Sequence, residues 1–177
     1  ARKLAEALEG NGTLTVLNLG DNKIGLGIYP LSNALKENRT LTKLSLAGNL
    51  TRSMVLLLAN EALKENKVLT ELDLGRNQIE TIGALSLSKA LKENEALTVL
   101  NLGDNKIGDE GAEYLAEALK KNGTLIKLDL GSNGITDVGA GFLAQALHAN
   151  STLVELKLSE NEITNAGAAA IEEGLQH

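Results

Sequence analysis

The 177-residue chain has no cysteine, no tryptophan, one proline and one methionine, and its only aromatic residues are Tyr29, Tyr114 and Phe142. Each scarcity excludes a class of function. Without cysteine there is no disulfide scaffold, thiolate zinc site, iron–sulfur cluster or cysteine nucleophile. With so few rings there is no platform on which unpaired bases could stack. Positive charge is also in the minority: 17 Lys and Arg against 23 Asp and Glu give a net charge of −6 and a pI near 5.0. Such a field does not draw in nucleic acid or an anionic membrane surface. The longest uninterrupted apolar run, residues 54–59, is far short of the roughly 20 residues that span a bilayer. The opening residues lack the apolar core of a secretion signal. The expectation is a cytoplasmic protein with no nucleic-acid or membrane partner and no cofactor.

Leucine fills 36 positions, within a hydrophobic content of 43%. That is enough for a core, built from aliphatic side chains without large rings. The leucines are not scattered. The pattern L-x-x-L-x-L-x-x-N begins at Leu14, Leu41, Leu69, Leu97, Leu125 and Leu153, and ends at Asn22, Asn49, Asn77, Asn105, Asn133 and Asn161. The spacing is 27 residues once and 28 thereafter, and residues 14–25 (LTVLNLGDNKIG) recur unchanged at 97–108. Each unit has two halves of different period. Leu17 and Leu19 flank Asn18, the alternation of a short strand with one buried face. Gly111, Leu115, Ala118 and Leu119 fall at i, i+4, i+7 and i+8, the stripe of an amphipathic helix. Thr136-Asp137, Thr164-Asn165 and Asp109 are expected to cap helix N-termini. Asn11, Asn38, Asn66, Asn94, Asn122 and Asn150 are expected to end helices in the left-handed conformation. One strand, turn, helix and turn per 28 residues makes one coil of a solenoid with stacked parallel strands.

These motifs resemble the leucine-rich repeats of the 28-residue, ribonuclease-inhibitor-like class. Residues 105–119 (NKIGDEGAEYLAEAL) are similar to repeats in the receptor domains of NOD-like receptors, with related repeats in Ran GTPase-activating proteins and tropomodulins. The resemblance covers residues 1–177. It implies a right-handed α/β horseshoe, with parallel strands on the concave face, helices on the convex face, and the concave face used for protein partners. The chain begins inside a helix and stops after the sixth helix of the repeats without a distinct cap. The expectation is therefore a single domain of about six repeats, a fragment of a longer protein, with self-association open to its uncapped ends.

Several features look chemical and have plainer readings. The asparagine column ending each motif reads as side chains that satisfy backbone groups of the turn. Five N-x-T sequons start at Asn11, Asn38, Asn49, Asn122 and Asn150; four coincide with helix-ending asparagines, so the repeat itself accounts for them. The glycine-rich turns match no phosphate-loop or dinucleotide fingerprint. The run 104–110 lacks the ligand order of a calcium loop. His148 and His177 have no nucleophile or carboxylate at a spacing that makes a triad. The segment reads as non-enzymatic and without a metal.

Function is expected instead where packing leaves side chains free to vary. One outward strand column reads Val16, Lys43, Glu71, Val99, Lys127, Glu155. The next reads Asn18, Ser45, Asp73, Asn101, Asp129, Lys157, and the following loop column reads Asp21, Gly48, Arg76, Asp104, Ser132, Glu160. Of these only Arg76 belongs to the residue types that dominate interface energetics. The lysines and glutamates could instead pair across neighbouring strands and stay solvated. A second surface comes from aligning the helices. Where repeat four has Glu110 and Glu113, repeats one to three have Leu26 and Tyr29, Met54 and Leu57, and Ile82 and Leu85. Each pair is spaced i, i+3 on one helical face, a strip that would serve partner contact or self-association.

The reading is a non-catalytic recognition or regulatory module that binds a protein partner on the concave face. Two alternatives stand beside it. A GTPase-activating scaffold resembling Ran GTPase-activating protein would need a loop arginine, for which Arg52 and Arg76 are the candidates. An engineered repeat scaffold would account for the duplicated block.

Overall fold

In a computed structural model that describes residues 2–49 and 51–176, the Leu-x-Leu alternation forms six three-residue strands. They are β1 (Val16–Asn18), β2 (Lys43–Ser45), β3 (Glu71–Asp73), β4 (Val99–Asn101), β5 (Lys127–Asp129) and β6 (Glu155–Lys157). They pair in parallel, strictly in chain order, as one six-stranded sheet. Parallel neighbours require a crossover, which the helical halves supply. The helices are α1 (Arg2–Gly10), α2 (Ile28–Glu37), α3 (Arg52–Leu57), α4 (Glu80–Glu93), α5 (Gly108–Leu119), α6 (Asp137–Ala149) and α7 (Asn165–Gly174). Strand–helix–strand connections of this kind are right-handed because a twisted strand feeding a helix returns to the sheet only that way. Strands stack at about 4.8 Å, whereas packed helices need about 8–10 Å. The difference bends the solenoid with its sheet on the inner side.

The core is the set of repeated leucine columns. Leu41, Leu44, Leu46 and their equivalents through Leu130 are buried together with Leu35, Leu63, Leu91 and Leu119 from the helices. They form one continuous cluster rather than separate domain cores. Ile79 and Ile107 pack directly over Gly83 and Gly111: a Cβ on either glycine would stand 2.5 Å from the isoleucine Cγ2. Repeat two inverts this pairing, with Thr51 at the isoleucine position and Val55, fully buried, at the glycine position. A large residue has moved from one side of the contact to the other. The helix there also departs, since α3 runs into a π-helical turn, Leu58–Leu63. In repeat one a 3₁₀ turn, Gly25–Gly27, precedes α2, which absorbs its one-residue deficit.

Two sequence expectations are corrected. The helix-ending asparagines are not left-handed where α2, α4 and α6 stop: Asn38, Asn94 and Asn150 have φ of −67°, −80° and −100° with extended ψ. Their side chains do the capping. Asn38 Oδ1 accepts from the N–H groups of Thr40 and Leu41, while its Nδ2 donates to the Leu8 carbonyl one repeat back. Asp109 lies inside α5 and caps a different helix. Its carboxylate accepts from Thr136 N–H at 2.8 Å, Gly139 N–H at 3.0 Å and Thr136 Oγ1 at 2.7 Å, at the start of α6. Asp137 repeats the arrangement for α7 through Thr164 and Gly167. Thr136 and Thr164 are N-caps as expected, accepting from Val138 and Ala166 N–H. His177 lies outside the described residues.

Candidate functional site: the sheet face and its loop edge

The strand register sets the outward columns side by side: Val16, Lys43, Glu71, Val99, Lys127 and Glu155 are successive neighbours, as are Asn18, Ser45, Asp73, Asn101, Asp129 and Lys157. In the first column the charges pair across strands, Lys43 with Glu71 and Lys127 with Glu155, both at 2.7 Å. The Lys127 bond holds the Glu155 carboxyl below the usual carboxylate range, and the carboxylate in turn raises Lys127. Pairs this exposed contribute about 0–1 kcal/mol each; what they fix is side-chain position. Val16, which is exposed, and half-buried Val99 interrupt the ionic ladder. Val16, Lys43, Glu71 and Val99 line a shallow depression of about 210 Å³ together with Asn18, Ser45, Asp73 and Asn101.

The second column has a structural duty that the sequence reading missed. Asn18, Asp73, Asn101 and Asp129 each accept a hydrogen bond from the N–H two residues on, that of Gly20, Gly75, Gly103 and Gly131, at 2.8–3.0 Å. These are Asx turns that carry the chain off the strand. The signal was legible as a recurring Asx-Leu-Gly triplet, which lapses at Ser45-Leu46-Ala47. Ser45 donates instead to Asp73 Oδ2 at 2.9 Å, so both oxygens of Asp73 are engaged.

The loop column is conformationally uniform. Asp21, Gly48, Arg76, Asp104, Ser132 and Glu160 all have positive φ, from 54° to 66°. The turn imposes this, because the N–H of each of the first five donates to a carbonyl of the next repeat, as Arg76 does to Gly103 at 2.9 Å. Only Gly48 adopts this conformation without strain. It also leaves room for a contact: the Asp21 carboxylate lies over the Gly48 Cα and meets Arg76 Nη2 at 2.8 Å, two repeats away. That bond raises the Arg76 pKa further. Arg52, taken from the sequence as a loop arginine, begins α3 and pairs with Glu80 at 2.7 Å. Arg76, Asp73, Asp104, Asp129 and Glu160 border a second, more polar depression of about 320 Å³.

Behind this edge runs the inward asparagine ladder. Asn105, completely buried, accepts from Asn77 N–H at 2.8 Å and donates to the carbonyls of Leu74, Leu102 and Gly103. Asn49, Asn77, Asn133 and Asn161 accept from the preceding repeat in the same way. The structural reading of this column holds, with each residue also joining two repeats.

On the helical side, Leu26, Tyr29 and Ile82 are exposed, while Met54, Leu57 and Leu85 are half-buried, the first two of them packed against the core. Among the described residues no cluster of His, Cys, Asp and Glu could hold a metal ion, and no helix is long and apolar enough to cross a membrane.

The leucine-rich repeat family model matches residues 10–27, 65–88, 93–116, 121–144 and 149–171, most of the chain. The protein belongs to the leucine-rich repeat family, and the matches step over repeat two, where the helix start is rewritten. Particular relatives are more distant. No curated protein sequence matches. Among solved structures, actin-binding site 2 of leiomodin-1 is similar with TM-score 0.69 at 21% identity, over 81% of this chain and 86% of that one. The tropomodulin C-terminal domain of Caenorhabditis elegans gives 0.70 at 15% identity, over 84% and 90%. A TLR13–ssRNA13 complex gives 0.57 at 22% identity, over 90% of this chain and 21% of that one. At these identities the likeness is one of fold.

Proposed function

We propose that the protein is a non-catalytic recognition module that binds a protein partner across the strand face and loop edge. The observation that carries this reading is the contrast between columns. The leucine and asparagine columns repeat with little change because the core and the turn demand them. The neighbouring outward columns change from repeat to repeat while keeping one backbone geometry, so they form a rigid, individually patterned surface. Preorganised surfaces lose little conformational freedom on binding. The 28-residue spacing supports a place in the ribonuclease-inhibitor-like class and a role similar to the sensing region of a NOD-like receptor. The similar leiomodin-1 structure is an actin-binding site, which supports a protein as the partner. A GTPase-activating role lacks support because both arginines it would use, Arg52 and Arg76, are engaged with carboxylates.

The test is quantitative affinity capture with a charge swap, Lys43→Glu with Glu71→Lys. The swap preserves the internal ion pair, and with it the fold, but inverts the pattern presented to a partner. Loss of captured proteins at unchanged thermal stability is expected. The same proteins in the same amounts on both would refute the assignment.

A further inference from the structure

The helical side carries a surface that the sheet-face reading does not use. Counted by repeat, one outward position near the start of successive helices reads Leu26, Met54, Ile82, Glu110 and Val138, all exposed except half-buried Met54. Leu26 is 72% exposed, Ile82 50% and Val138 60%, against nearly complete burial for the leucines that face the core. Tyr29, Leu57 and Leu85 widen the first three steps, one turn along each helix. At the fourth step the chemistry changes. Exposed Glu110 and half-exposed Glu113 stand on one face of α5, and Tyr114 Oη donates to Glu110 Oε1 at 2.7 Å, which fixes that carboxylate in place. Glu80 is neutralised by Arg52, so the open negative charge beside the strip is that of α5.

Spacing defines what fits. α2, α3 and α4 pack in succession, and packed helices lie about 8–10 Å apart. Two turns of an α-helix, seven residues, advance about 10.5 Å. A helix laid across the solenoid, perpendicular to the packed helices, therefore brings one side chain to each repeat at every seventh residue. Charge complementarity fixes which end of the apolar row carries a cation.

We propose that this strip docks an amphipathic helix of a partner protein, with apolar residues at i, i+7 and i+14 over repeats one to three and a Lys or Arg at i+21 over Glu110 and Glu113. Binding by helix-in-groove anchors at regular spacing is an established mode of peptide recognition. The surface is separate from the strand face, so the two can be engaged at once.

The test uses two fluorescein-labelled helical peptides of about 25 residues, each with leucine at the three seven-spaced positions and differing only in Lys or Glu at the fourth. Anisotropy should show saturable binding of the Lys peptide, weakened about tenfold by Ile82→Glu. The preference for Lys over Glu should invert in Glu110→Lys/Glu113→Lys. The Lys43→Glu/Glu71→Lys swap on the sheet face should leave this binding unchanged, so failure here is distinguishable from failure of the sheet-face reading. Ile82 and Glu110 are exposed and Glu113 is partly so, and circular dichroism of each variant checks the fold. No saturable binding, binding indifferent to Ile82→Glu, or no charge preference would overturn the proposal. So would concentration-dependent dimerisation abolished by Ile82→Glu, which would make a second copy the occupant.

Discussion

Replacing Asn105 with alanine tests the physical basis of the solenoid at one residue. Its amide is completely buried and makes one strong acceptor contact, to Asn77 N–H at 2.8 Å, and a weaker one to Ile79 N–H at 3.4 Å. The carbonyls it serves are not stranded by its removal. Leu74 O still receives the Asn77 amide, Leu102 O the Asn133 amide, and Gly103 O the Arg76 N–H. The loss is therefore the side-chain acceptor of the buried Asn77 N–H, costing about 1–3 kcal/mol, with a small addition from Ile79. The unfilled amide volume adds about 1 kcal/mol. Asn105→Ala should destabilise by about 2–4 kcal/mol, a large share of the roughly 5–15 kcal/mol typical of a domain. Asn22, the same motif position in repeat one, is exposed, so water replaces its contacts and Asn22→Ala should cost about 0.5–1 kcal/mol. Urea unfolding at 25 °C, followed by far-ultraviolet circular dichroism, measures both. Equal losses for the two variants would refute the claim that the ladder acts by satisfying buried backbone donors.

Further consequences can be measured. Gly83→Val should overpack against Ile79 and cost about 1–3 kcal/mol, and Ile79→Thr should recover part of that loss by recreating the Thr51/Val55 arrangement of repeat two; a double-mutant cycle reads the coupling. Asp137 has its pKa lowered by the Thr164 hydroxyl and N–H and by Gly167 N–H. Its stabilisation is therefore complete above the unfolded-state carboxyl pKa and lost as pH falls through the lower folded value. Asp137→Asn should flatten that acid limb of a pH–stability profile. The sequon asparagines Asn38 and Asn122 are buried, and both donate their amides to backbone carbonyls, as Asn150 does. Protein folded before exposure to an oligosaccharyltransferase should carry no glycan at these three sites, as peptide mass mapping would show.

The fold was legible because its causes are local and repeated six times. Leucine alternation and helical spacing placed every strand, and counting forward by one repeat aligned the outward columns in their observed register. What was not legible is interaction between repeats at unequal positions. Asp109 reads locally as a cap for its own helix, yet it caps the next one, because Thr136 presents an extended N-cap that repeat four, with Gly108 there, does not. The helix-ending asparagines invited a left-handed reading because that conformation is an intrinsic tolerance of the residue. The side-chain bonds of Asn38 to Thr40, Leu41 and Leu8 make an extended backbone the better solution. Arg76 and Asp21 are 55 residues apart, and nothing in either local sequence couples them; Gly48 between them does so only in three dimensions. The candidate site was visible as columns, but the internal pairing of its charges, and the Asx turns at four of the six positions of the second column, emerged from the geometry.

Site-specific photo-crosslinking bears directly on the proposed recognition by the strand face, with a photoreactive side chain placed at Val99 on β4 or at exposed Lys121, which follows the C-terminal end of α5. A partner adduct is expected from position 99 and is lost in the Lys43→Glu/Glu71→Lys background, with none from position 121. An adduct from position 121 with none from position 99 would rule out the strand face as the contact.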